Sequence, residues 1–454
     1  MTFVSNALTN SMRRFFSYEM GKMDGNVSNV FTMNFKIQLV IIVVLVVLLE
    51  TAGLWFFETV IKIPEGRETA ASIVYQFSVV TFCLNLLQVP YSSLIVAREK
   101  MSIFAILSIL DVVLKLMIVY LLSSSLETDR LVLYGFLMMA VTLIATLCYY
   151  IYCKVAIRTD CRVTNYWDKN QFKEIFSFAS WNLVGGVTTV GTTEVPNYFM
   201  NYYLGVGVNA AMGVAKQISN AIYTFSSNFQ TAFNPQITKS YASGDKDYLL
   251  ELVFRTSKLS FFLLYIIALP FFLCSQEVLS VWLKVVPDYT ASFCLFIVMA
   301  ELIQALSSPL WMTIFAIGNI RKYQLWLCVI NLTVIPVSWF ILFNGFEPYW
   351  ILAYKIVISL VILIYRIQYL NKKIDFPKTR YFSQIIIRLL VFIPLLTFPF
   401  LYWFSSLFDG WLKIIIVSMV SIVFVSVIFY LIGLDRNDRG AVKAIVLRRI
   451  LNRS

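Results

Sequence analysis

The chain contains no histidine, and this absence removes several chemistries at once. Without imidazole there is no histidine metal ligand, no histidine general base and no histidine proton relay. Charged residues are scarce, at 14% of the chain, whereas hydrophobic residues make up 59%. The seven cysteines follow no metal-binding or disulfide spacing, and most fall within apolar runs, so packing explains them. We therefore predict no metal site and no cofactor, and we assign no catalytic residue.

The loops are also short, which leaves no room for a catalytic domain. The net charge of +12 does not indicate a nucleic-acid partner, because the basic residues are spread over loops between apolar runs. No cleavable signal peptide precedes the first run, since residues 1–35 carry charge and no apolar segment. Function is therefore expected within a membrane or at its surfaces, in an all-α polytopic protein whose partners include membrane lipids.

What the chain does have is long apolar runs. A helix needs about 20 residues to cross a hydrocarbon core about 30 Å thick. We predict twelve spans, near 36–58, 70–96, 101–123, 130–153, 175–204, 208–232, 252–274, 290–317, 325–344, 348–368, 383–405 and 411–433.

The loop charges predict the orientation of these spans. Alternate loops are basic and hold, among others, Arg13, Arg14, Arg98, Lys100, Lys154, Arg158, Lys239, Lys246, Arg321, Lys322, Arg366, Lys372 and Lys373. The loops between them are rich in acids, including Glu65, Glu127, Asp129, Glu277 and Asp409. Short basic loops stay in the cytoplasm, so both termini are predicted to be cytoplasmic.

Two short patterns in the first half of the chain occur again about 220 residues later, which indicates an internal repeat. Residues 17–21 resemble residues 240–244, and Pro90 and Ala97 are spaced like Pro309 and Ala316. Repeats of this kind are typical of transporters with two lobes. We predict an N-terminal lobe at 1–158 with four spans, a C-terminal lobe at 159–373 with six, and two extra spans at 374–434.

When the two lobes are aligned in this way, we expect the first lobe to lack two N-terminal helices, through a misplaced start or a truncated gene. A genuine twelve-helix protein with unequal lobes is the alternative. The basic cytoplasmic tail, 435–454, is predicted either to lie on an anionic leaflet as an amphipathic helix or to be solvated.

Span six carries a polar stripe in steps of three or four residues. Its members are Asn209, Gly213, Lys216, Asn220, Thr224, Ser227, Thr231 and Asn234. Such a stripe faces either a water-filled cavity or a polar helix contact, and Lys216 favours the cavity. With polar residues of spans five and eight, the predicted substrate-binding set is Lys216, Asn209, Asn220, Thr224, Ser227, Asn234, Trp181, Thr188, Glu301 and Gln304.

Other charges within the spans need partners, because a charged side chain at the membrane centre costs about 2.5–3.5 kcal/mol on insertion scales. Asp111 and Lys115 are spaced as a helical i,i+4 pair, which favours a mutually neutralising structural role. Glu194 lies off the polar face of span five and is expected to pair with a lysine of a neighbouring helix. Lys355 and Glu50 complete the candidates for a charge or coupling role.

Three stretches resemble Wzx-type polysaccharide flippases of the multidrug/oligosaccharidyl-lipid/polysaccharide exporter superfamily. They are Val89-Pro90-Tyr91 with Ala97-Arg98-Glu99-Lys100, Asn201-Tyr202-Tyr203-Leu204-Gly205 with Asn209 to Lys216, and Asn228-Phe229-Gln230 with Asn234-Pro235-Gln236. The resemblance implies a bacterial inner-membrane protein that moves an undecaprenyl-diphosphate-linked oligosaccharide outward by alternating access, for O-antigen, capsule or exopolysaccharide. It also implies a polysaccharide polymerase and chain-length machinery as partners.

Two rival functions stay open. An ion-coupled multidrug antiporter of the same superfamily would export cations and depend on carboxylates within the membrane, which Glu50 and Asp111 could supply. A membrane glycosyltransferase or polysaccharide polymerase would need catalytic residues on a sizeable outer loop, and the sequence has none.

Overall fold

The computed structural model describes residues 2–59, 66–124, 129–283, 285–435 and 439–440. Every regular element in these ranges is helical, so the predicted all-α class is confirmed. The first helices are α1 (Thr2–Gly21), α2 (Val27–Leu48), α3 (Leu54–Thr59), α4 (Glu68–Ala97), α5 (Met101–Ser124), α6 (Arg130–Ala156), α7 (Lys169–Leu204) and α8 (Val206–Ala242).

The remaining helices follow with short connections. They are α9 (Lys246–Leu273), α10 (Ser275–Trp282), α11 (Thr290–Ile317), α12 (Arg321–Leu332), α13 (Val334–Phe343), α14 (Tyr349–Ile374), α15 (Lys378–Tyr381), α16 (Ile393–Ser405) and α17 (Gly410–Ile428). Three π-helical segments, Leu49–Gly53, Phe382–Phe392 and Phe429–Gly433, continue the helices beside them. Most of the predicted tail at 435–454 lies outside the described residues.

Side-chain caps fix where several of these helices begin. Asn26, Asp129 and Asp245 each accept a hydrogen bond from a backbone N–H in the first turn that follows, at 3.1, 2.9 and 3.0 Å. Each cap satisfies one of the backbone donors that a helix start leaves without an intrahelical partner.

All twelve predicted spans are helical in the structure. Ten helical stretches among the described residues are long and apolar enough to cross a membrane, so the chain is a multi-pass membrane protein. The helices of spans five and six, α7 and α8, are not among those ten. They are long, at 36 and 37 residues, but polar side chains interrupt their apolar surface.

The chain divides into two compact units. Unit 1 comprises residues 1–187, 238–244 and 318–321, and unit 2 comprises residues 188–237, 245–317 and 322–454. The lobe boundaries expected from the repeat stay predictions.

The core of unit 1 contains a helix that the sequence analysis missed. α1 packs against α4 and α2 and buries Leu8, Met12 and Phe16. Arg14, which we counted among the loop charges, is only 4% exposed, and its Nη1 lies 3.4 Å from a carboxylate oxygen of Glu174. The opening residues are therefore part of the packed core, because an amphipathic helix can bury one apolar face without being apolar enough overall to be predicted as a span.

The core of unit 2 is built on α11, which packs against α9 and α14. It also encloses Arg366 of α14, another residue that we counted as a loop charge. Arg366 donates from Nε to the Tyr323 hydroxyl at 3.0 Å and from Nη1 to Ser307 Oγ at 2.6 Å. The guanidinium is thus a packed structural group and contributes little to the charge of the surface.

Candidate functional site

The rest of unit 2 does not bury the polar stripe of α8. Its eight residues are exposed or half-buried, and none is buried. A different face of α8 carries the packing, since Val208, Ala211 and Ala215 lie in a buried cluster that includes Phe293 and Ile351. The rest of unit 2 therefore does not cover the stripe, and the water-filled cavity expected beside it stays a prediction.

A tight turn brings the start of that stripe against α7. Gly205 connects the two helices at a φ of +83°, a conformation that glycine adopts readily. Glu194 and Lys216 lie eleven residues before and after this glycine. In an antiparallel helix pair, positions at equal distance from the turn stand at the same level, here about 16 Å from it at about 1.5 Å per residue.

Glu194 and Lys216 form a two-point ion pair at that level. Lys216 Nζ donates to Glu194 Oε1 at 2.9 Å and to Oε2 at 3.2 Å. The Asn197 amide adds a third bond to Oε2 at 3.3 Å. The lysine partner expected for Glu194 is thus Lys216 itself, a pairing that the sequence analysis did not make.

Lys355 of α14 completes a charge cluster. Its charge acts on both Glu194 and Lys216. Lys355 forms no ion pair with either residue among those that the structure describes, and two lysines with one glutamate give this Glu194–Lys216–Lys355 cluster a formal net charge of one positive unit. We keep this name for the three residues.

Glu301 of α11 contacts α8 through the side chain of Ser219. Its Oε1 accepts a hydrogen bond of 3.2 Å from Ser219 Oγ. One turn further along α11, the backbone carbonyl of Gln304 accepts from Ser308 Oγ at 3.0 Å. Both predicted residues are half-buried, and Glu301 ties α11 to the helix that carries the stripe.

The two predicted residues of span five have separate surroundings. Thr188, in unit 2, donates from Oγ1 to Cys328 Sγ at 3.2 Å. Trp181, in unit 1, lies beneath the Arg321 guanidinium, whose carbon is 5.6 Å from the ring centroid. That distance is within the range of a cation–π contact, which supplies a structural reason for this tryptophan.

The other predicted charges have partners in unit 1. Lys115 Nζ donates to Asp111 Oδ2 at 2.7 Å, so the predicted neutralising pair is present. Glu50 accepts a bond of 3.2 Å from the Gln76 amide. Neither contact requires a ligand.

Unit 1 also contains a cavity of about 500 Å³ that the sequence analysis did not find. Its polar lining consists of Ser5, Asn6, Ser78, Thr81, Asn85 and Tyr134. None of the described residues that line it carries a formal charge. A volume of this size lies within the range of about 300–1,000 Å³ typical of small-molecule sites.

The hydrogen bonds of α4 determine what this cavity offers. Ser78 and Thr81 donate to backbone carbonyls of their own helix at 2.8 and 2.7 Å, and Asn85 does so at 2.9 Å. Their oxygens therefore remain as acceptors. The spacing of these three residues, in steps of three and four, is the signal in the sequence that could have indicated this polar face.

Comparison with known proteins gives the fold. In sequence, the chain matches no protein-family profile and no curated protein. In structure, it is similar to a crystal structure of a mutant MATE transporter, with a TM-score of 0.70, 13% identity, and coverage of 82% of this chain and 85% of the other.

Two further solved structures have a similar fold. One is an outward-facing multidrug resistance MATE transporter of the MOP superfamily, with a TM-score of 0.68, 13% identity and coverage of 82% and 85%. The other is a MOP superfamily transporter from Pyrococcus furiosus, with a TM-score of 0.68, 13% identity and coverage of 81% and 84%. Reverse polarity of its binding pocket was taken to suggest a different function for that protein. The chain has the fold of these transporters.

Proposed function

We propose that the chain is a MOP-superfamily transporter that carries an anionic amphiphile, an oligosaccharide linked through diphosphate to a polyprenyl lipid, from the cytoplasm outward. The observation that carries this proposal is the net positive charge of the Glu194–Lys216–Lys355 cluster. A lysine ammonium is a compact donor that binds phosphate as a point charge. An export site for cations has no need of two lysines.

The direction of transport follows from the membrane potential. Moving negative charge outward from an inside-negative cell is favourable by about 2.3 kcal/mol per charge per 100 mV. In this proposal the protein resides in a bacterial inner membrane with both termini inside, needs no cofactor, and hands its cargo to a polysaccharide polymerase and chain-length machinery.

The second candidate is an ion-coupled multidrug antiporter, and the solved structures favour it. Two of the similar structures are MATE transporters, one described as a multidrug resistance protein. Carboxylates within the spans, such as Glu301 and Asp111, would bind the coupling ion or a cationic drug. The Glu194–Lys216–Lys355 cluster opposes cation binding in unit 2, and we rank this function second for that reason.

One experiment separates the two functions. The purified chain is reconstituted into vesicles, and two substrates are followed: a fluorescent polyprenyl-diphosphate disaccharide and the cationic dye ethidium. Lys355→Met leaves the Glu194–Lys216 pair neutral, and Lys373→Met, an exposed lysine of the same helix, is the matched control.

We expect the native chain and Lys373→Met to move the disaccharide lipid, and Lys355→Met to lose most of that activity. Ethidium transport by the native chain, together with no movement of the disaccharide lipid, would establish the antiporter instead.

A further inference from the structure

A groove in unit 2 has apolar walls and a basic mouth. It lies between α9 and the end of α17, with a volume of about 220 Å³. Phe262 and Phe429 stack across it with ring centroids 4.1 Å apart, and Leu259 and Tyr430 extend the wall. Arg255 and Lys258 line the same groove. One site thus offers hydrocarbon contact and positive charge side by side.

Basic residues gather beside this groove. Lys258 Nζ lies 2.5 Å from Asp435 Oδ2, and Arg388 Nη1 lies 3.0 Å from Oδ1 of the same carboxylate. Arg439 donates to the backbone carbonyls of Leu431 and Leu434, beside the groove, at 2.7 and 3.1 Å. Among the described residues, Lys258 and Arg388 thus share Asp435, and Arg255 and Arg439 add positive charge beside the groove.

Arg255 is the member of this group that is available to a ligand. It is exposed, and among the residues that the structure describes it forms no ion pair. Lys258, by contrast, is 2% exposed and is occupied by Asp435. The Lys258–Asp435–Arg388 network, of which only Lys258 is buried, links the end of the last span to α9, while Arg255 lies at the open rim.

The predicted orientation places this rim at the cytoplasmic leaflet, where α9 begins and the last span ends. That leaflet carries anionic lipids, and basic pockets between membrane helices on that side bind lipid headgroups. A volume below the ~300–1,000 Å³ of drug-sized pockets suits a headgroup and the first part of one chain, with the rest of the lipid in the bilayer.

We propose that this groove binds an anionic phospholipid, with its phosphate against Arg255 and one acyl chain along the stacked rings of Phe262 and Phe429. Charge complementarity selects the anionic headgroup, because the exposed Arg255 at the rim forms no ion pair with an acid among the described residues. The apolar wall selects a lipid over free phosphate. The site is separate from the Glu194–Lys216–Lys355 cluster and does not depend on which substrate the chain transports.

The test uses the full chain, purified and stripped of lipid, with short-chain phosphatidylglycerol as the probe. Short-chain phosphatidylcholine and inorganic phosphate are the comparison ligands, and binding is measured by titration and by the rise in Tm. Arg255→Gln removes the exposed charge, Arg255→Lys keeps it, and Ser426→Phe fills the groove without altering a charge. Lys373→Gln removes an exposed charge elsewhere in the unit.

We expect phosphatidylglycerol to bind Arg255→Gln about fivefold more weakly than the native chain, the effect of one cation at an anionic surface. Arg255→Lys should retain the affinity, Ser426→Phe should lose it, and Lys373→Gln should not change it. If Arg255→Gln does not fold, the Ser426→Phe and Arg255→Lys results decide the question.

Three results would overturn the proposal. One is equal binding of phosphatidylcholine and phosphatidylglycerol, since charge would then select nothing. Another is the full Tm rise with inorganic phosphate alone, which would mean an ion site without a lipid. The third is native affinity in Ser426→Phe, which would place the lipid outside the groove.

Discussion

Replacing Lys216 by methionine tests whether the polar stripe faces water. The side chains of Lys216 and Glu194 are 35% and 60% exposed within the protein, and their contact is two-pronged at 2.9 and 3.2 Å. If that exposed surface is hydrated, the pair resembles a surface salt bridge and is worth about 0.2–1 kcal/mol. If the surface lies against lipid, removing one partner leaves an uncompensated charge and costs about 3–5 kcal/mol.

We expect the smaller value. Thermal unfolding of native chain and Lys216→Met in the same nanodiscs measures it, with Lys373→Met as the control for loss of an exposed lysine. Destabilisation of several kcal/mol by Lys216→Met alone would show that the stripe is not hydrated. The substrate cavity inferred from the stripe would then have to be abandoned.

The same substitution has a defined effect on transport. Hydrogen bonds to charged groups contribute about 1.5–3 kcal/mol, so losing one phosphate contact should lower transport of the disaccharide lipid about 10- to 150-fold at low substrate concentration. Lys216→Met makes the cluster neutral, since Glu194 then faces Lys355 alone. Adding Glu194→Gln restores one net positive charge.

The double variant should therefore recover part of the activity that Lys216→Met loses. Glu194→Gln alone, with two positive charges, should bind substrate at least as tightly as the native chain. If the double variant is as inactive as Lys216→Met, the net charge of the cluster does not determine substrate binding, and the reasoning fails.

Two further predictions concern stability. Tyr323→Phe removes the acceptor of Arg366 Nε and should lower unfolding free energy by about 1.5–3 kcal/mol, measured by thermal unfolding in detergent. Burial opposes ionisation of Asp435, but the hydrogen bonds and charges of Lys258 and Arg388 outweigh it and hold the pKa of that carboxyl below its usual 3.8. The link therefore stabilises at every pH above 3.8 and is lost as pH falls through the lowered pKa. Asp435→Asn should cost about 1.5–3 kcal/mol at pH 7, the contribution of hydrogen bonds to a charged group, with the Tm difference from the native chain shrinking only below pH 3.8.

The sequence predicted those features that depend on one helix at a time. Ten of the twelve predicted spans coincide with helices that are long and apolar enough to cross a membrane, because length and apolarity can be read from one segment alone. The stripe of α8 followed from its spacing, and the Asp111–Lys115 pair followed from an i,i+4 step. Each of these signals is contained in a single segment.

Features that depend on which helices adjoin were not predicted. The charges of Arg14 and Arg366 were assigned to loops, yet both are buried, because their partners Glu174 and Tyr323 are remote in sequence. The proximity of Lys355 to the Glu194–Lys216 pair belongs to the same class. Hydropathy and helical period give the faces of a helix, but they do not say which face meets which neighbour.

One such contact could have been predicted. Glu194 and Lys216 are equidistant from Gly205, and a glycine between two long helical segments indicates a tight turn. Antiparallel geometry then puts the acid and the base at one level. Applied to the lysine expected beside Glu194, this geometry identifies Lys216 as the partner.

The two helices that carry this pair are also those that least resemble membrane spans. α7 and α8 are absent from the helices apolar enough to cross a bilayer, although each is longer than any of those ten. A charge at the membrane centre costs about 2.5–3.5 kcal/mol on insertion scales, so neither helix is suited to lipid alone. Pairing Glu194 with Lys216 offsets part of that cost, but Lys355 adds a further cation that structure does not require. Places where a sequence departs from what its fold demands are commonly functional sites. By that criterion the departure lies at the Glu194–Lys216–Lys355 cluster, and the anionic substrate that we propose matches its formal positive charge.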